Sequence, residues 1–171
     1  MKKAKAKSRS KRHTSIENVS LFGATMRMAP PGLHLYAEYY FNAAKAAPTA
    51  RTQFTPAKTF LVCRAIELAL KAFLSLKGVS LEALSGGQFG HDLASLLREA
   101  NRVGLNSLVP LNGDHQFQIE RASEYYCEKV FEYPAIYEAL KAYPGYPDTG
   151  LLMEIAEKLI EKLEKPCIEA E

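Results

Sequence analysis

Five charged or titratable side chains carry the chemistry this sequence could perform. Arg64, Glu67 and Lys71 stand three and four residues apart inside the run TPAKTFLVCRAIELALKAFLSLKG, residues 55–78. On a helix that spacing places them in one narrow stripe, with Ser75 continuing it. Glu67 precedes Lys71 by four residues, the favourable direction for a same-helix ion pair. Two uses fit the stripe: a charged groove that holds a phosphate or nucleotide, or a set of ion pairs on a solvated or inter-subunit face. His91 and Asp92 follow Gly90 and open a later helical run. An imidazole titrates near neutral pH, so His91 is the candidate for a catalytic or nucleotide contact, with a turn-fixing role as the alternative. Asp92 stands where a carboxylate favours the positive end of a helix. Arg64, Glu67, Lys71, His91 and Asp92 are therefore the candidate ligand-binding residues, and His91 is the one catalytic candidate.

Other chemistries find no support. Cys63, Cys127 and Cys167 are scattered, with no CxxC and no metal-ligand spacing. An odd set of isolated cysteines fits a reducing cytoplasm and implies no metal. Gly86-Gly87 is too short a signal for a Walker or dinucleotide loop, so no cofactor is expected. No apolar run reaches the length of a membrane span. The formal net charge is +3, but residues 1–12 hold seven cations and no acid, which leaves −4 for residues 13–171. The basic pI belongs to a tail, not to a nucleic-acid-binding face.

These residues need helices to position them. The run 55–78 is the clearest: Thr55 is placed to cap it, Pro56 fits the first turn, and Gly78 supplies a left-handed stop. Away from its stripe it is apolar almost all round, with Leu61, Val62, Ile66, Leu68, Leu70, Phe73, Leu74 and Leu76. A helix this apolar must be covered on several sides, which makes it the centre of a bundle. The periodicity predicts four partners. The first spans about Leu33 to Ala47, with Leu33, Tyr36, Ala37, Tyr39, Tyr40, Ala43, Ala44 and Ala47 inward and His34, Glu38, Asn42 and Lys45 wet. The second follows Asp92 to Gly104, burying Leu93, Leu96, Leu97 and Ala100. The third spans about His115 to Phe131, with Ile119, Ala122, Tyr126 and Val130 inward and Glu120, Arg121, Glu124 and Glu128 outward. The fourth spans about Leu151 to Lys165 on Leu152, Ile155, Ala156, Leu159 and Leu163, and ends at Pro166. No stretch alternates like a strand. The expectation is an all-α, up-and-down five-helix bundle over residues 33–165. It is preceded by a disordered basic tail (1–19) and a lead-in (20–32) that breaks at Pro30-Pro31, and followed by a short tail (166–171).

Arg64-Ala65-Ile66-Glu67-Leu68-Ala69-Leu70-Lys71 with Gly78, then Gly90-His91-Asp92-Leu93 with Leu96-Leu97, resembles the HEPN domain (higher eukaryotes and prokaryotes nucleotide-binding). Tyr133-Pro134, Tyr146-Pro147-Asp148 and the amphipathic last helix are similar to bacterial members. The resemblance covers roughly residues 33–165. It implies a five-helix bundle, often a homodimer, tied to RNA or nucleotide handling. Many such proteins are metal-independent RNases in toxin–antitoxin pairs, partnered by a minimal nucleotidyltransferase. This chain departs from the RNase pattern, an Arg followed after four to six residues by a His in the late helices. No His follows Arg121, and His115 precedes it. Arg27 and His34 have the gap but straddle Pro30-Pro31-Gly32. Glu132 stands before Tyr133-Pro134, where bacterial members tend to carry a basic residue.

Three functions are compatible with these features. The first is a non-catalytic HEPN-like binding or interaction module, favoured by the missing Arg…His pair and the acidic body. The second is an RNase or toxin with a rearranged site, built on His91 with Arg64 or Lys71. The third is a nucleotide-binding sensor using Arg64, Glu67 and Lys71.

Overall fold

The computed structural model describes residues 18–21, 24–27, 30–49, 55–86, 89–133 and 145–170. Residues 1–17 of the basic tail, Gly87 and the stretch 134–144, including Pro134, lie outside the described residues. The described chain is helical apart from one two-stranded ribbon. Instead of five helices it holds six, α1 (Pro30–Ala46), α2 (Pro56–Leu76), α3 (Leu81–Ser85), α4 (Leu93–Arg102), α5 (Gly113–Cys127) and α6 (Thr149–Ile168), and a 3-10 turn at Leu105–Ser107. The added helix, α3, is one short turn capped by Ser80, whose Oγ accepts from the Ala83 N–H at 3.2 Å.

Strands β1 (Asn18–Leu21) and β2 (Ala24–Arg27) pair antiparallel, with Val19 opposite Met26 and Ser20 opposite Thr25. This corrects the expectation of no strands, and the ribbon crosses the boundary drawn between tail and lead-in. Four-residue strands are too short for alternation to register against the polar background. The lead-in is also shorter than its prolines suggest. Pro30 and Pro31 begin α1 instead of preceding it, because the first helical turn needs no N–H from them.

α2 packs against α1, α4, α5 and α6, and is the centre of the molecule. Val62, Cys63, Ala65, Ile66, Ala69, Leu70, Ala72, Phe73 and Leu74 are all at 0% exposure. Its end is a left-handed cap as the sequence indicates: Gly78 has φ +86°, Val79 N–H donates to Leu74 C=O at 3.1 Å, and Gly78 N–H to Ser75 C=O at 3.0 Å. Thr55 occupies the N-cap but makes no side-chain cap. Its Oγ1 lies 3.4 Å from Thr149 Oγ1, in a hydroxyl cluster where Thr59 Oγ1 meets Thr149 Oγ1 at 2.8 Å and the Tyr146 hydroxyl at 2.7 Å. That cluster ties the start of α2 to the start of α6.

The inward residues expected for α4 and α6 are buried. α1 is rotated from its expected phase. His34 is buried and bonds through Nε2 to the Ile160 carbonyl at 2.8 Å, Phe41 is buried, and Tyr39 is 57% exposed. The cause is that α1 packs on α6 as well as α2, and α6 supplies a carbonyl that makes a buried imidazole tolerable. α5 stops at Cys127, one turn early, because Lys129 takes a left-handed conformation (φ +58°) and Val130 N–H closes onto Tyr125 C=O at 3.0 Å. α6 runs past Pro166 to Ile168. The proline removes one bond in the last turn, where the freed carbonyl can face water, and buried Cys167 holds that turn down.

Candidate functional site

The stripe on α2 and the start of α4 meet. Glu67 lies at the centre with its side chain at 0% exposure. A buried carboxylate is costly unless its lone pairs are filled, and here four side chains fill them. Arg64 Nη1 donates to Oε1 at 2.9 Å and Oε2 at 2.8 Å. Lys71 Nζ donates to Oε1 at 2.6 Å. Tyr126 donates its hydroxyl to Oε2 at 2.7 Å, and His91 Nδ1 lies 3.1 Å from the same oxygen. The stripe is therefore neither a solvated face nor an open groove, but the floor of a polar cluster closed by α4 and α5.

Each member is positioned by its own element. Helical spacing on α2 brings Arg64 and Lys71 to either side of Glu67. Lys71 Nζ also donates to the Gly90 carbonyl at 2.7 Å, which pins the turn before His91. Gly90 has φ +45°, a conformation that disfavours any side chain. His91 rests edge-on to the Tyr126 ring, centroids 5.9 Å apart, and Arg64 lies 5.9 Å over the Tyr40 ring.

The electrostatics follow from the contacts. Burial works against the Glu67 charge, but Arg64, Lys71 and the Tyr126 hydrogen bond outweigh it and hold its carboxyl below the ordinary range. Burial, and then the Glu67 charge, push the Tyr126 phenol far up, so it is a fixed donor and not an acid–base group. A carboxylate only accepts, so the nitrogen of His91 that faces Glu67, Nδ1, carries a proton and donates it. The 3.4 Å approach of Arg64 Nη1 to His91 Nδ1 then joins two donors that share Glu67, and is not a bond of its own.

Asp92 does different work. Its Oδ1 accepts from Ser95 N–H at 3.0 Å and the Ser123 hydroxyl at 3.0 Å, and Oδ2 accepts from the Ser95 hydroxyl at 2.6 Å. Partial burial opposes its charge, and these bonds overcome it and lower its pKa. It is the N-cap of α4 and a tie to α5, as the helix-end reading suggests, with its oxygens already occupied. Asp92→Ala should therefore cost about 1 kcal/mol of stability, read by denaturant melts, and leave ligand affinity unchanged. Lost affinity with unchanged stability would return Asp92 to the binding set.

His115 is buried as the third residue of α5, where its main-chain N–H donates to Asn112 Oδ1 at 2.9 Å and its Nδ1 faces Asn112 N–H at 3.4 Å. That capping box places it apart from the Glu67 cluster. The thiols are poor nucleophiles: burial raises Cys63 and Cys127, and lifts Cys167 to about 11. Among the described residues no group of three His, Cys, Asp or Glu side chains could hold a metal, and no helix is long and apolar enough to cross a membrane.

The site residue that sequence reasoning missed is Tyr126. The helical period puts it in the apolar stripe of α5, and it is buried there. The available signal was its hydroxyl, since a buried tyrosine needs a polar partner, and a buried stripe on α2 offered one. No family model matches the chain, and neither the curated proteins nor the solved structures hold a significant match.

Proposed function

We propose that this protein is a HEPN-like, non-catalytic binding module that engages RNA or a nucleotide through phosphate at Arg64 and His91. The observation that supports this is the division of the Glu67 cluster. Lys71 and Tyr126 turn their polar atoms inward, whereas Arg64 and His91 keep 28% and 58% of their side chains exposed. Arg64 spends one terminal nitrogen on Glu67, and a guanidinium has further donors suited to phosphate oxygens. The cations outnumber the single carboxylate they surround, so the exposed rim is locally positive although the body is acidic. A homodimer and a nucleotidyltransferase-type protein partner are proposed on the HEPN resemblance. The apolar faces of α2 are covered by the chain's own helices and supply no argument for a dimer.

The Glu67–His91 hydrogen bond favours a second reading, RNA cleavage, because a carboxylate that orients an imidazole is how a general base is held. Cleavage also needs a second proton-transfer group, and the pushed-up Tyr126 phenol cannot supply one. Binding is therefore the better-supported function. The test is fluorescence anisotropy with labelled RNA and nucleotide, in full-length chain at salt high enough to suppress the seven tail cations. Arg64→Lys keeps a cation beside Glu67 but loses the planar fork, and should weaken binding about tenfold with little change in melting temperature. Equal binding by wild type and variant would remove Arg64 from the site. RNA cleavage that His91→Ala abolishes would favour the nuclease instead.

A further inference from the structure

We propose that the Arg64–His91 rim is selective for a terminal phosphate, a monoester dianion, and that His91 takes up a proton as the phosphate binds. This rests on the phosphate-binding reading above and adds both the ligand class and its regulation.

The orientation of the ring carries the inference. Nδ1–H is committed to Glu67 Oε2 at 3.1 Å. A ring holding that one proton offers only a lone pair at Nε2, and a phosphate oxygen is also an acceptor. The two repel unless Nε2 gains a proton. Once gained, the proton is supported from both sides, by the phosphate outside and by the Glu67 carboxylate against the same ring. The proton comes from solvent, and no covalent bond is made or broken.

The charges facing His91 set the ligand class. From α2 come Glu67, Arg64 and, through Gly90, Lys71. From α5 come Tyr126, neutral because its phenol is pushed far up, and Cys127, whose thiol lies 3.6 Å from the His91 carbonyl. Asp92 is adjacent in the chain, but its oxygens face Ser95, Ser123 and the positive end of α4. Arg64 and Lys71 against Glu67 leave one net positive charge, and His91 adds a second on protonation. A diester carries one negative charge. A terminal phosphate carries about −1.5 to −2 near neutral pH, so only the terminal group matches the protonated rim. Lys71 cannot serve the ligand, because its ammonium is held by Glu67 and Gly90. The donors left are the remaining guanidinium nitrogens of Arg64 and Nε2–H of His91.

Isothermal titration of the full-length chain tests this. The titrants are two short RNA oligonucleotides identical except for a 5′-phosphate or a 5′-hydroxyl, and adenosine monophosphate. Each is run at about pH 7.5, where the phosphate is already largely deprotonated, in two buffers of different ionisation enthalpy. The phosphorylated oligonucleotide should bind about tenfold tighter or more, with net proton uptake. Tight adenosine monophosphate binding would identify a nucleotide as the source of the phosphate, and binding of the phosphorylated oligonucleotide alone would identify an RNA end. His91→Asn keeps an amide N–H for Glu67 but cannot take a proton. It should still bind, more weakly, with the buffer dependence gone. Equal affinity for the two oligonucleotides, a buffer-independent enthalpy, or unchanged proton uptake in His91→Asn would each overturn the proposal. Failure of all three titrants to bind would overturn the phosphate-binding reading together with it.

Discussion

Glu67→Ala should destabilise the protein by about 3–5 kcal/mol, the largest loss expected from any single polar substitution here. The carboxylate holds Arg64, Lys71, His91 and Tyr126 together, and two of these, His91 and Tyr126, come from outside α2. Its removal leaves Lys71 as a nearly buried cation and Tyr126 as a buried hydroxyl without its acceptor. For a chain of this size the melting temperature should fall by roughly 10 °C. Glu67→Gln keeps the shape and one acceptor and should lose less. The same carboxylate sets an acid limit on stability. Its folded pKa is held below the ordinary value of 4.5, so the unfolded state binds the proton first as pH falls. The stabilisation is complete above that ordinary value and is lost as pH drops toward the folded one. Melts from pH 7 to pH 3 should show wild type losing stability on acidification and Glu67→Ala losing less. Parallel curves, or a variant as stable as wild type, would mean that the cluster is hydrated and contributes nothing.

Phe73→Ala should cost a similar amount, about 3–5 kcal/mol, by a different route. Phe73 is fully buried on α2, and Lys77 Nζ lies 5.2 Å from its ring centroid. Truncation removes the apolar surface that the ring keeps from water and leaves a cavity that α2, packed on four other helices, is poorly placed to collapse. Phe73→Leu fills most of that space and should cost far less. Denaturant melts with an unchanged m-value would report a stability loss in an intact fold. Phosphate affinity of the surviving folded fraction should not change, since Phe73 supplies none of the hydrogen bonds of the Glu67 cluster. A loss below 1 kcal/mol would show that α2 is not the centre of the packing.

The two substitutions separate what was legible in the sequence from what was not. The burial of Phe73 follows from an apolar run with only one polar stripe, and any helix with that pattern must be covered. The role of Glu67 does not follow from the stripe. Three and four residue spacing predicts the Arg64 and Lys71 pairs equally well for a wet surface or a dry cluster, because both satisfy the same helical geometry. What decides is whether something lies over the carboxylate. His91 comes from 24 residues along the chain and Tyr126 from 59, separations that no local pattern encodes. Asp92 was legible in part: its place at a helix start was plain, but the Ser123 hydroxyl that occupies its oxygen comes from α5.

The same division runs through the fold. Helix existence, the glycine stop at Gly78, the cap at Asp92 and the inward faces of α4 and α6 are local properties, written in side-chain period and backbone preference. The phase of α1, the early end of α5 at Lys129, the passage of α6 through Pro166 and the pairing of β1 with β2 are not. In α1 and α6 a distant partner changed the local balance: Ile160 accepts the bond that buries His34, and the core holds Cys167 beyond the proline. Local sequence thus determined which segments are helical and which residue types are available for a site. Only the packing of α4 and α5 onto α2 decided that Arg64 and His91 face outward over a sealed Glu67, because burial depends on what arrives from elsewhere in the chain.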